Sequence, residues 1–485
     1  MSKQDFVALA PYLALAGGIV LLMLLVSFWR SVRVMLTMTV VVLLVSLGLV
    51  GVSIGNPPHL ISGFLLIDGY AALFNALFII AAIVTALLAY GYMRGRAGEQ
   101  EEFYLLLALA TLGAMTMAAA HHFAAVLLGL EILSISLYVL IGYSEEGHPP
   151  LEAALKYLVL SGVASTTMLF GMALIYNATG TLVFSELGST DFTVPRDELY
   201  YLAGQGLLFA GIAFKLSLVP FHMWTPDVYQ GAPAPVTGFL ATVSKGAVFA
   251  FVLRYALITD VLAIPVMSTV LLMFAVLSML GGNLLALLQN NVKRLLAYSS
   301  IAHIGYLLIA LLAVGVLADG LIAVEASIIY LVGYFLMTLA AFGVVTVLSS
   351  SSMEVDAESI DAYTGLFWRR PLCAVIMTTA LLSLTGIPLT VGFVAKFYLI
   401  ATGAEGGMWL LLWALVVGSA IAVYYYMRVI FAMVRTGGGD TYTHPSVKVE
   451  GMAVLVVIGI SLILFGVYPS PLIDFVRRLI GIAGG

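Results

Sequence analysis

The chain has 485 residues, of which 62% are hydrophobic and 9% are charged, and its formal net charge is −5. Soluble domains carry about 25% charged residues, so the composition excludes a soluble protein of about three domains, and the acidic balance excludes a basic face for nucleic acid. The single cysteine, Cys373, excludes an internal disulfide framework, and the sequence has no Cys/His pattern for zinc or an iron–sulfur cluster.

Apolar runs long enough to cross a bilayer recur from end to end of the chain. They predict one membrane domain with fourteen transmembrane helices, at residues 6–29, 34–55, 70–92, 103–120, 123–143, 153–177, 200–219, 234–258, 263–287, 295–316, 321–348, 371–400, 408–433 and 451–475. The first run is too long for the core of a signal peptide, so it is expected to remain a helix. The longest polar stretches, 183–199 and 349–370, are predicted surface loops or short docking segments.

The lysines and arginines outside the centres of these spans predict which side of the membrane each loop faces. With the N-terminus outside, ten fall on the inner side and five on the outer side. The inner set is Arg30, Arg33, Arg94, Arg96, Lys293, Arg294, Arg369, Arg370, Arg435 and Lys448, and the outer set is Lys3, Arg196, Arg254, Arg477 and Arg478. Because cytoplasmic loops are enriched in positive residues, both termini are predicted to be periplasmic.

Four of the seven lysines fall inside predicted spans: Lys156, Lys215, Lys245 and Lys396. An ammonium group at a helix centre costs about 2.5–3.5 kcal/mol on membrane-insertion scales. Removal from water favours the neutral amine, so a buried lysine can take up and release a proton. Glu131 is the clearest carboxylate inside a span; it could pair with Lys215 and switch that lysine between its charged and neutral forms.

The alternative is that these charges only form structural ion pairs or extend to the membrane surface. Intramembrane ionisable residues are functional by default, which favours proton transfer for Lys215, Lys245 and Lys396. Lys293 begins a predicted span beside Arg294, so a surface anchor is the favoured interpretation there. Lys156 lies one or two turns into its span and is intermediate between these cases.

The same spans carry groups that both donate and accept hydrogen bonds, as a proton relay requires. They include Ser134, Ser161, Ser299, Ser300, Tyr298 and Tyr306. For each of the serines, packing between membrane helices is the default interpretation. Histidine titrates near neutral pH, so His303 is either a relay or a buried structural histidine.

Two spans are interrupted, one at Pro220 and one at Gly386 and Pro388. A proline frees a backbone carbonyl, which membrane proteins tolerate only where protein or a wet cavity satisfies it. Lys215 and Lys396 lie close to these breaks in the sequence. Paired interruptions of this kind indicate transport sites in folds built from repeats.

The spacing of charges predicts an internal repeat. Lys215 and Lys396 are 181 residues apart, and Lys245 and Arg428 are 183 apart. These offsets predict two five-helix repeats, at residues 101–260 and 261–435. An N-terminal three-helix segment, 1–100, precedes them, and a C-terminal helix, 436–485, follows.

Three motifs together resemble one protein family: "FKLSLVPFHMWTPDVYQGAPAPVTGFLATVSKGA" (214–247), "NVKRLLAYSSIAHIGY" (291–306) and "LSLTGIPLTVGFVAKFY" (382–398). They are similar to the antiporter-like membrane subunits of respiratory complex I (NADH:quinone oxidoreductase), specifically the subunit N type, over about 100–430. Lysine at 396 is unlike the glutamate of subunit M. Subunit L has a long lateral helix after its membrane spans, whereas no chain is expected beyond the fourteenth span here.

The resemblance implies an all-α polytopic fold with two inverted five-helix repeats, in a bacterial inner membrane. It implies proton translocation through Glu131, Lys215, Lys245 and Lys396, with Lys396 on the exit side. Other membrane-arm subunits, including homologous ones, would be the partners. NAD, FMN, iron–sulfur clusters and quinone would be bound by partner chains, because this sequence has no dinucleotide fingerprint, phosphate loop or metal ligands.

Two other functions stay open. A stand-alone or Mrp-type cation/proton antiporter would share the fold and the buried lysines. A structural membrane-arm scaffold would use the same charges only to hold helices together. Protons are favoured over Na⁺ as the transported ion, because lysines repel Na⁺ and the sequence shows no oxygen-rich cage.

Overall fold

A computed structural model of the protein shows a helical bundle with one short β-hairpin. It describes residues 3–54, 56–94, 96, 98–144, 149–187, 194–318, 320–349, 356–436 and 449–483. Lys448, which was assigned to the inner side, lies outside these residues. The all-α prediction is confirmed apart from the hairpin, which the sequence analysis did not predict.

The N-terminal part consists of three long helices and the hairpin. In chain order these are α1 (Lys3–Phe28), α2 (Val32–Ser53), β1 (His59–Ile61), β2 (Leu65–Ile67) and α3 (Gly69–Met93). The strands are antiparallel, with Leu60 opposite Leu66. Asp68 caps α3 by accepting a hydrogen bond from the Ala71 amide at 2.8 Å, so the hairpin leads directly into that helix.

Five predicted spans follow, and the fourth of them is broken. The helices are α4 (Glu102–Ala118), α5 (Phe123–Ile141), α6 (Pro149–Thr179), α7 (Phe184–Leu187), α8 (Pro195–Lys215), α9 (Trp224–Gly231), α10 (Ala234–Phe239) and α11 (Lys245–Thr259). A π-helical turn, Leu240–Ser244, joins α10 and α11 into one continuous segment. Proline in the first turn of α6 and α8 removes an amide that has no helical acceptor there.

The next five predicted spans follow, and the fourth of them is also interrupted. Their helices are α12 (Pro265–Leu287), α13 (Val292–Val314), α14 (Gly320–Ser349), α15 (Leu366–Arg369), α16 (Pro371–Thr385), α17 (Val391–Glu405) and α18 (Trp409–Val434). Short 3₁₀ turns lie at Val261–Ala263 and Ile360–Tyr363. The C-terminal part has α19 (Val449–Val467) and α20 (Ser470–Ala483). The division into two five-helix repeats stays a prediction, to be tested by superposing the two sets of helices.

The helices follow the fourteen predicted spans in order, with three differences. Ten helical segments within the described residues are long and apolar enough to cross a membrane singly. Predicted span 371–400 is two helices, α16 and α17, separated by 386–390. Helix α8 already begins at Pro195, inside the stretch predicted to be a loop.

The third difference is at the C-terminal end of the bundle. The predicted span 451–475 ends at Val467, and α20 is bent by 84° from α19. Pro469 explains the break, because proline cannot continue the hydrogen-bonding pattern and disfavours a helical residue before it. Helix α20 overlaps the end of the predicted span and continues to Ala483, so the single helix predicted here is a bent pair of helices.

Two segments form the centre of the bundle. Every residue in the most apolar stretch of the segment 234–259 is buried, and the same is true of the most apolar stretch of α13. In α1 and in α2, only 28% of the residues in the most apolar stretch are buried. Close packing surrounds this centre. A Cβ atom on Gly113 of α4 would lie only 2.6 Å from the Leu133 amide nitrogen of α5, so this contact requires glycine.

A buried ion pair joins the hairpin region to the centre. The Arg254 guanidinium donates to both Asp68 oxygens, at 2.9 and 2.8 Å, and to the Ala118 carbonyl at 3.0 Å. It also lies 4.6 Å from the centre of the Tyr70 ring. The pair is enclosed between α3, α4 and α11, so Arg254 is a buried structural residue, while its assignment to the outer side of the membrane stays a prediction.

We expect Asp68→Ala to lower the free energy of unfolding by about 3–5 kcal/mol, because it leaves the arginine buried without its partner. Thermal unfolding in detergent measures the change. The control is Glu99→Ala, which removes an ion pair to Arg30 in which both side chains are more than half exposed; its effect should stay below about 1 kcal/mol. Equal effects of the two substitutions would contradict a structural role for the buried pair.

Candidate functional site

Lys215 is the last residue of α8, and two serine hydroxyls hold its ammonium group. Nζ donates to Ser134 Oγ of α5 at 2.9 Å and to Ser161 Oγ of α6 at 2.6 Å. The Ser161 and Tyr138 hydroxyls lie 2.9 Å apart. The predicted hydroxyl partners on two other spans are therefore in contact with this lysine.

Neighbouring protein groups form hydrogen bonds at the break after Lys215. Ser217 has a positive φ of 61°, and Pro220 follows before α9 begins. The Val219 amide donates to Ser278 Oγ at 2.9 Å, and the Trp224 ring nitrogen donates to the Phe214 carbonyl at 3.0 Å. Pro220 therefore lies in a break that other helices stabilise, as the interrupted sequence predicted.

Glu131 makes no ion pair with Lys215 in this structure. Its Oε1 atom is buried and, among the described residues, has no hydrogen-bond partner. No carboxylate oxygen of the described residues lies within 4.0 Å of Lys215 Nζ. The direct pair expected from the sequence is therefore absent here, while the role of Glu131 as an electrostatic switch stays a prediction.

Lys245 begins α11, directly after the π-helical turn. Its Nζ donates to Ser300 Oγ of α13 at 2.6 Å and lies 5.6 Å from the centre of the Tyr229 ring. Tyr334 of α14 also donates to Ser300 Oγ, at 2.9 Å. Isolated π-turns occur frequently at functional sites, and this one positions the most enclosed of the three central lysines, which is 1% exposed.

Lys396 lies on α17 and is held by the break that precedes it. Nζ donates to the Thr385 carbonyl at 2.8 Å and to Ser419 Oγ at 2.9 Å, and lies 5.0 Å from the centre of the Tyr306 ring. Thr385 ends α16 because Gly386 adopts a left-handed conformation with φ 90°. A Cβ atom at Gly386 would lie 2.8 Å from Lys396 Cδ, so glycine also provides space for the lysine.

His303 lies between the Lys245 and Lys396 clusters. Its Nδ1 is 2.7 Å from the Tyr330 hydroxyl. Its ring centre is 5.5 Å from that of Tyr306, beside Lys396, and 5.6 Å from that of Tyr334, which bonds the hydroxyl partner of Lys245. The structure thus brings together two of the secondary candidates, His303 and Tyr306.

Sequence reasoning missed the two tyrosines of α14. Tyr330 and Tyr334 are four residues apart, so they lie on the same face of their helix. Both are about 1% exposed. Two tyrosines at helical spacing in an otherwise apolar span were a signal that could have identified this face.

Two secondary candidates lie apart from the lysine clusters. Tyr298 is buried, with its ring centre 6.4 Å from that of His222, and no hydrogen bond within the described residues joins it to a lysine. Lys156 is 43% exposed and pairs with Glu152 at 2.8 Å and Asp227 at 2.9 Å. Its contacts are those of a surface ion pair.

Lys293 belongs to a separate buried cluster at the start of α13. Its Nζ is 2.8 Å from Asp356 Oδ2 and donates to the Ala232 carbonyl at 2.7 Å. Asp356 Oδ1 also accepts from the Tyr92 hydroxyl at 2.8 Å and from Arg96 at 3.1 Å. The interpretation of Lys293 as a surface anchor is wrong, and the stretch 349–370 is not only a surface loop, because both partners are buried.

The charges around Asp356, which lies outside the spans, determine its ionisation. Burial alone raises the pKa of this carboxyl, but the positive charges of Lys293 and Arg96 outweigh burial and hold the pKa below its ordinary value. Asp356 therefore stays ionised, and the cluster is a fixed ion pair.

Comparisons with known proteins agree with this geometry. Residues 120–422 match the family model described as NADH:quinone oxidoreductase/Mrp antiporter, transmembrane. The chain is similar to one in respiratory complex I from Thermus thermophilus, with 35% identity over 96% of this chain and 98% of that chain and a TM-score of 0.81.

Two further solved structures have the same fold. A chain of the membrane-bound sulfane sulfur reductase, an archaeal respiratory membrane complex, is 26% identical over 98% of this chain and 96% of that chain, with a TM-score of 0.84. A chain of the Mrp complex from Dietzia sp. DQ12-45-1b is 21% identical over 99% of this chain and 97% of that chain, also with a TM-score of 0.84. This last likeness shows the fold alone.

We expect Gly386→Ala to destabilise the protein through two effects, a strained left-handed backbone of about 1–2 kcal/mol and a collision with the Lys396 side chain. Gly407→Ala is the matched control, because Gly407 also has a positive φ, of 66°, and no atom within 4 Å of an added Cβ. Thermal unfolding of both variants separates the effects. The role of Gly386 in making space is contradicted if the two variants lose the same stability.

The Asp356 cluster predicts a pH-dependent difference in stability. An ionised carboxylate with a lowered pKa contributes fully above its ordinary pKa of about 4, and that contribution is lost as the pH falls through the lowered value. We therefore expect Asp356→Asn to unfold at a lower temperature than wild type at pH 7, with the difference shrinking below about pH 4. Asp361→Asn, an exposed carboxylate of the same segment, should show little difference at any pH. A difference for Asp356→Asn that does not change between pH 3 and 7 would contradict the charge pairing.

Proposed function

Because this chain belongs to the NADH:quinone oxidoreductase/Mrp antiporter family of membrane subunits, we propose that it is the subunit-N-type proton-translocating subunit of an NADH:quinone oxidoreductase. Oxidation of NADH and reduction of quinone take place in partner chains, which hold FMN, the iron–sulfur clusters and the quinone. This chain binds none of these cofactors. It lies in a bacterial inner membrane with both termini periplasmic and contacts other membrane-arm subunits.

The observation that carries this proposal is the bonding of Lys215, Lys245 and Lys396. All three are at most 6% exposed, and within the described residues each is hydrogen-bonded only to uncharged oxygens. A hydroxyl or carbonyl stabilises an ammonium group far less than a carboxylate does, so desolvation leaves the neutral amine accessible. Groups of this kind can load and unload a proton.

The arrangement of these lysines supports a path through the middle of the protein. Ser300 and Tyr334 continue from Lys245 toward His303, and Tyr306 continues toward Lys396. Hydroxyl and imidazole groups both donate and accept, so each can pass a proton on. Lys215, beside the first broken helix, passes protons into this path, and Lys396, beside the second, releases them from it.

The assignment to an NADH:quinone oxidoreductase rests on sequence similarity. Identity is 35% to the Thermus complex I chain, against 26% and 21% to the chains of the sulfane sulfur reductase and the Mrp complex. The lysine-lined interior suits protons better than Na⁺, which requires several oxygen ligands. Co-purification of the chain with an NADH-oxidising complex tests this assignment directly.

We expect Lys245→Met to reduce proton pumping per NADH oxidised at least tenfold while the complex still assembles, because methionine retains the side-chain volume and removes the titrating amine. Pumping is measured in liposomes by quenching of a pH-sensitive dye, and assembly by native gel electrophoresis. Lys3→Met, an exposed lysine on α1, is the control and should pump normally.

Three outcomes separate the candidate functions. Normal pumping by the assembled Lys245→Met complex would falsify the proposed path. Failed assembly without any other defect supports a scaffold. Exchange of Na⁺ for protons by the purified chain alone in liposomes supports an Mrp-type antiporter.

A further inference from the structure

A cavity of about 820 Å³ opens beside the end of α18, away from the lysine clusters. One wall is formed by a single face of α18, at Tyr424, Arg428, Phe431 and Arg435, which recur at intervals of three and four residues. The other wall is formed by Asn290 and the segment 359–364. The distribution of lysine and arginine predicts this end of α18 to be cytoplasmic.

The α18 wall combines exposed apolar surface with positive charge. Tyr424 and Phe431 are 67% and 66% exposed, which is expected of side chains that face lipid. Arg435 is exposed at the end of the helix. Trp368 is also exposed and donates its ring N–H to the Val434 carbonyl at 3.0 Å. Exposed tryptophan beside arginine is typical of the membrane–water boundary, so the cavity lies at the depth of lipid headgroups.

Arg428 lines this cavity and does not use all of its hydrogen-bond donors. Its two terminal nitrogens donate to the carbonyls of Leu287 and Gln289 at the end of α12. Its Nε is buried and has no hydrogen-bond partner among the described residues. Each terminal nitrogen carries two hydrogens and uses one of them for these carbonyls, so the guanidinium keeps terminal donors for an acceptor in the cavity.

We propose that this cavity binds a glycerophospholipid with a net negative headgroup, such as phosphatidylglycerol. The phosphate accepts from a terminal N–H of Arg428 and pairs with Arg435, while one acyl chain lies along Tyr424 and Phe431. Asp361, on the opposite wall, accepts from a headgroup hydroxyl. Arginine matches phosphate geometry, and basic pockets at cytoplasmic helix ends are suited to anionic headgroups.

A lipid fits better than a soluble anion or a protein partner. The exposed aromatic side chains continue from the cavity along the lipid-facing side of α18, where a free phosphate would leave them uncovered. Net charge also agrees, because two arginines and one aspartate leave one positive charge to be neutralised. This inference goes beyond proton translocation and does not depend on it.

The test uses the complete complex, or the full chain in membranes, reconstituted with a photoactivatable phosphatidylglycerol or with the matched phosphatidylcholine. Cross-linked peptides are mapped by mass spectrometry. We expect the glycerol lipid to label residues 424–435 at least fivefold more than the choline lipid. Arg428→Gln and Arg435→Gln should each abolish this preference. Arg478→Gln, an exposed arginine of α20, is the matched control and should leave it unchanged.

Four results would overturn the proposal: equal labelling by both lipids, unchanged preference in Arg435→Gln, loss of labelling in millimolar inorganic phosphate, or labelling that appears only after partner subunits are removed. The third would assign the cavity to a free anion and the fourth to a partner protein. Arg435 makes no side-chain hydrogen bond within the described residues, so its replacement tests binding even if Arg428→Gln fails to fold.

Discussion

The hydration that each buried ammonium or guanidinium group loses must be replaced by contacts with the protein, and this chain does so in two ways. Arg254 and Lys293 face carboxylates at 2.8 Å. A carboxylate at that distance holds the positive charge in place and makes the pair a fixed part of the structure. Lys215, Lys245 and Lys396 instead face hydroxyls and a carbonyl. The difference in partner, more than the depth of burial, separates cations that only support the fold from cations that can exchange protons.

The two broken helices place Lys215 and Lys396 against neutral partners. At the second break, Gly386 ends α16, so the Thr385 carbonyl is free to accept a hydrogen bond from Lys396. Glycine at this position also leaves space for the Lys396 side chain. At the first, the end of α8 places Lys215 against serines of α5 and α6. A continuous helix would use its carbonyls internally, so none would be free for the lysine. The interruptions therefore belong to the same arrangement as the lysines beside them.

The sequence was sufficient to predict the helices, their order, the two breaks and the central lysines, because hydropathy and proline are local signals. It was insufficient wherever the outcome depended on contacts between distant residues. Lys293 has the sequence context of a surface anchor and Arg254 lies near the end of a predicted span, yet both are buried in ion pairs, with Asp356 63 residues away and Asp68 186 residues away. Glu131 and Lys215 were natural partners by charge, but the lysine donates to two serines instead. Such competition between partners is decided only in the folded structure.

Helix α13 connects the fixed and the exchangeable charges. It begins at the Lys293–Asp356 pair, where Asn291 caps it, and then presents Ser300, His303 and Tyr306 at intervals of three residues. At 1.5 Å per residue, Ser300 and Tyr306 are about 9 Å apart along the axis. One helix, buried along nearly all of its length, thus provides the partner of Lys245, the ring beside Lys396 and the histidine between them. The ion pair at its start fixes its axial position, so a shift of α13 relative to α11 would lengthen the 2.6 Å contact between Ser300 and Lys245 while the spacing of its own side chains stays constant. On the proton path proposed here, the position of α13 therefore determines whether the Lys245 and Lys396 clusters are connected.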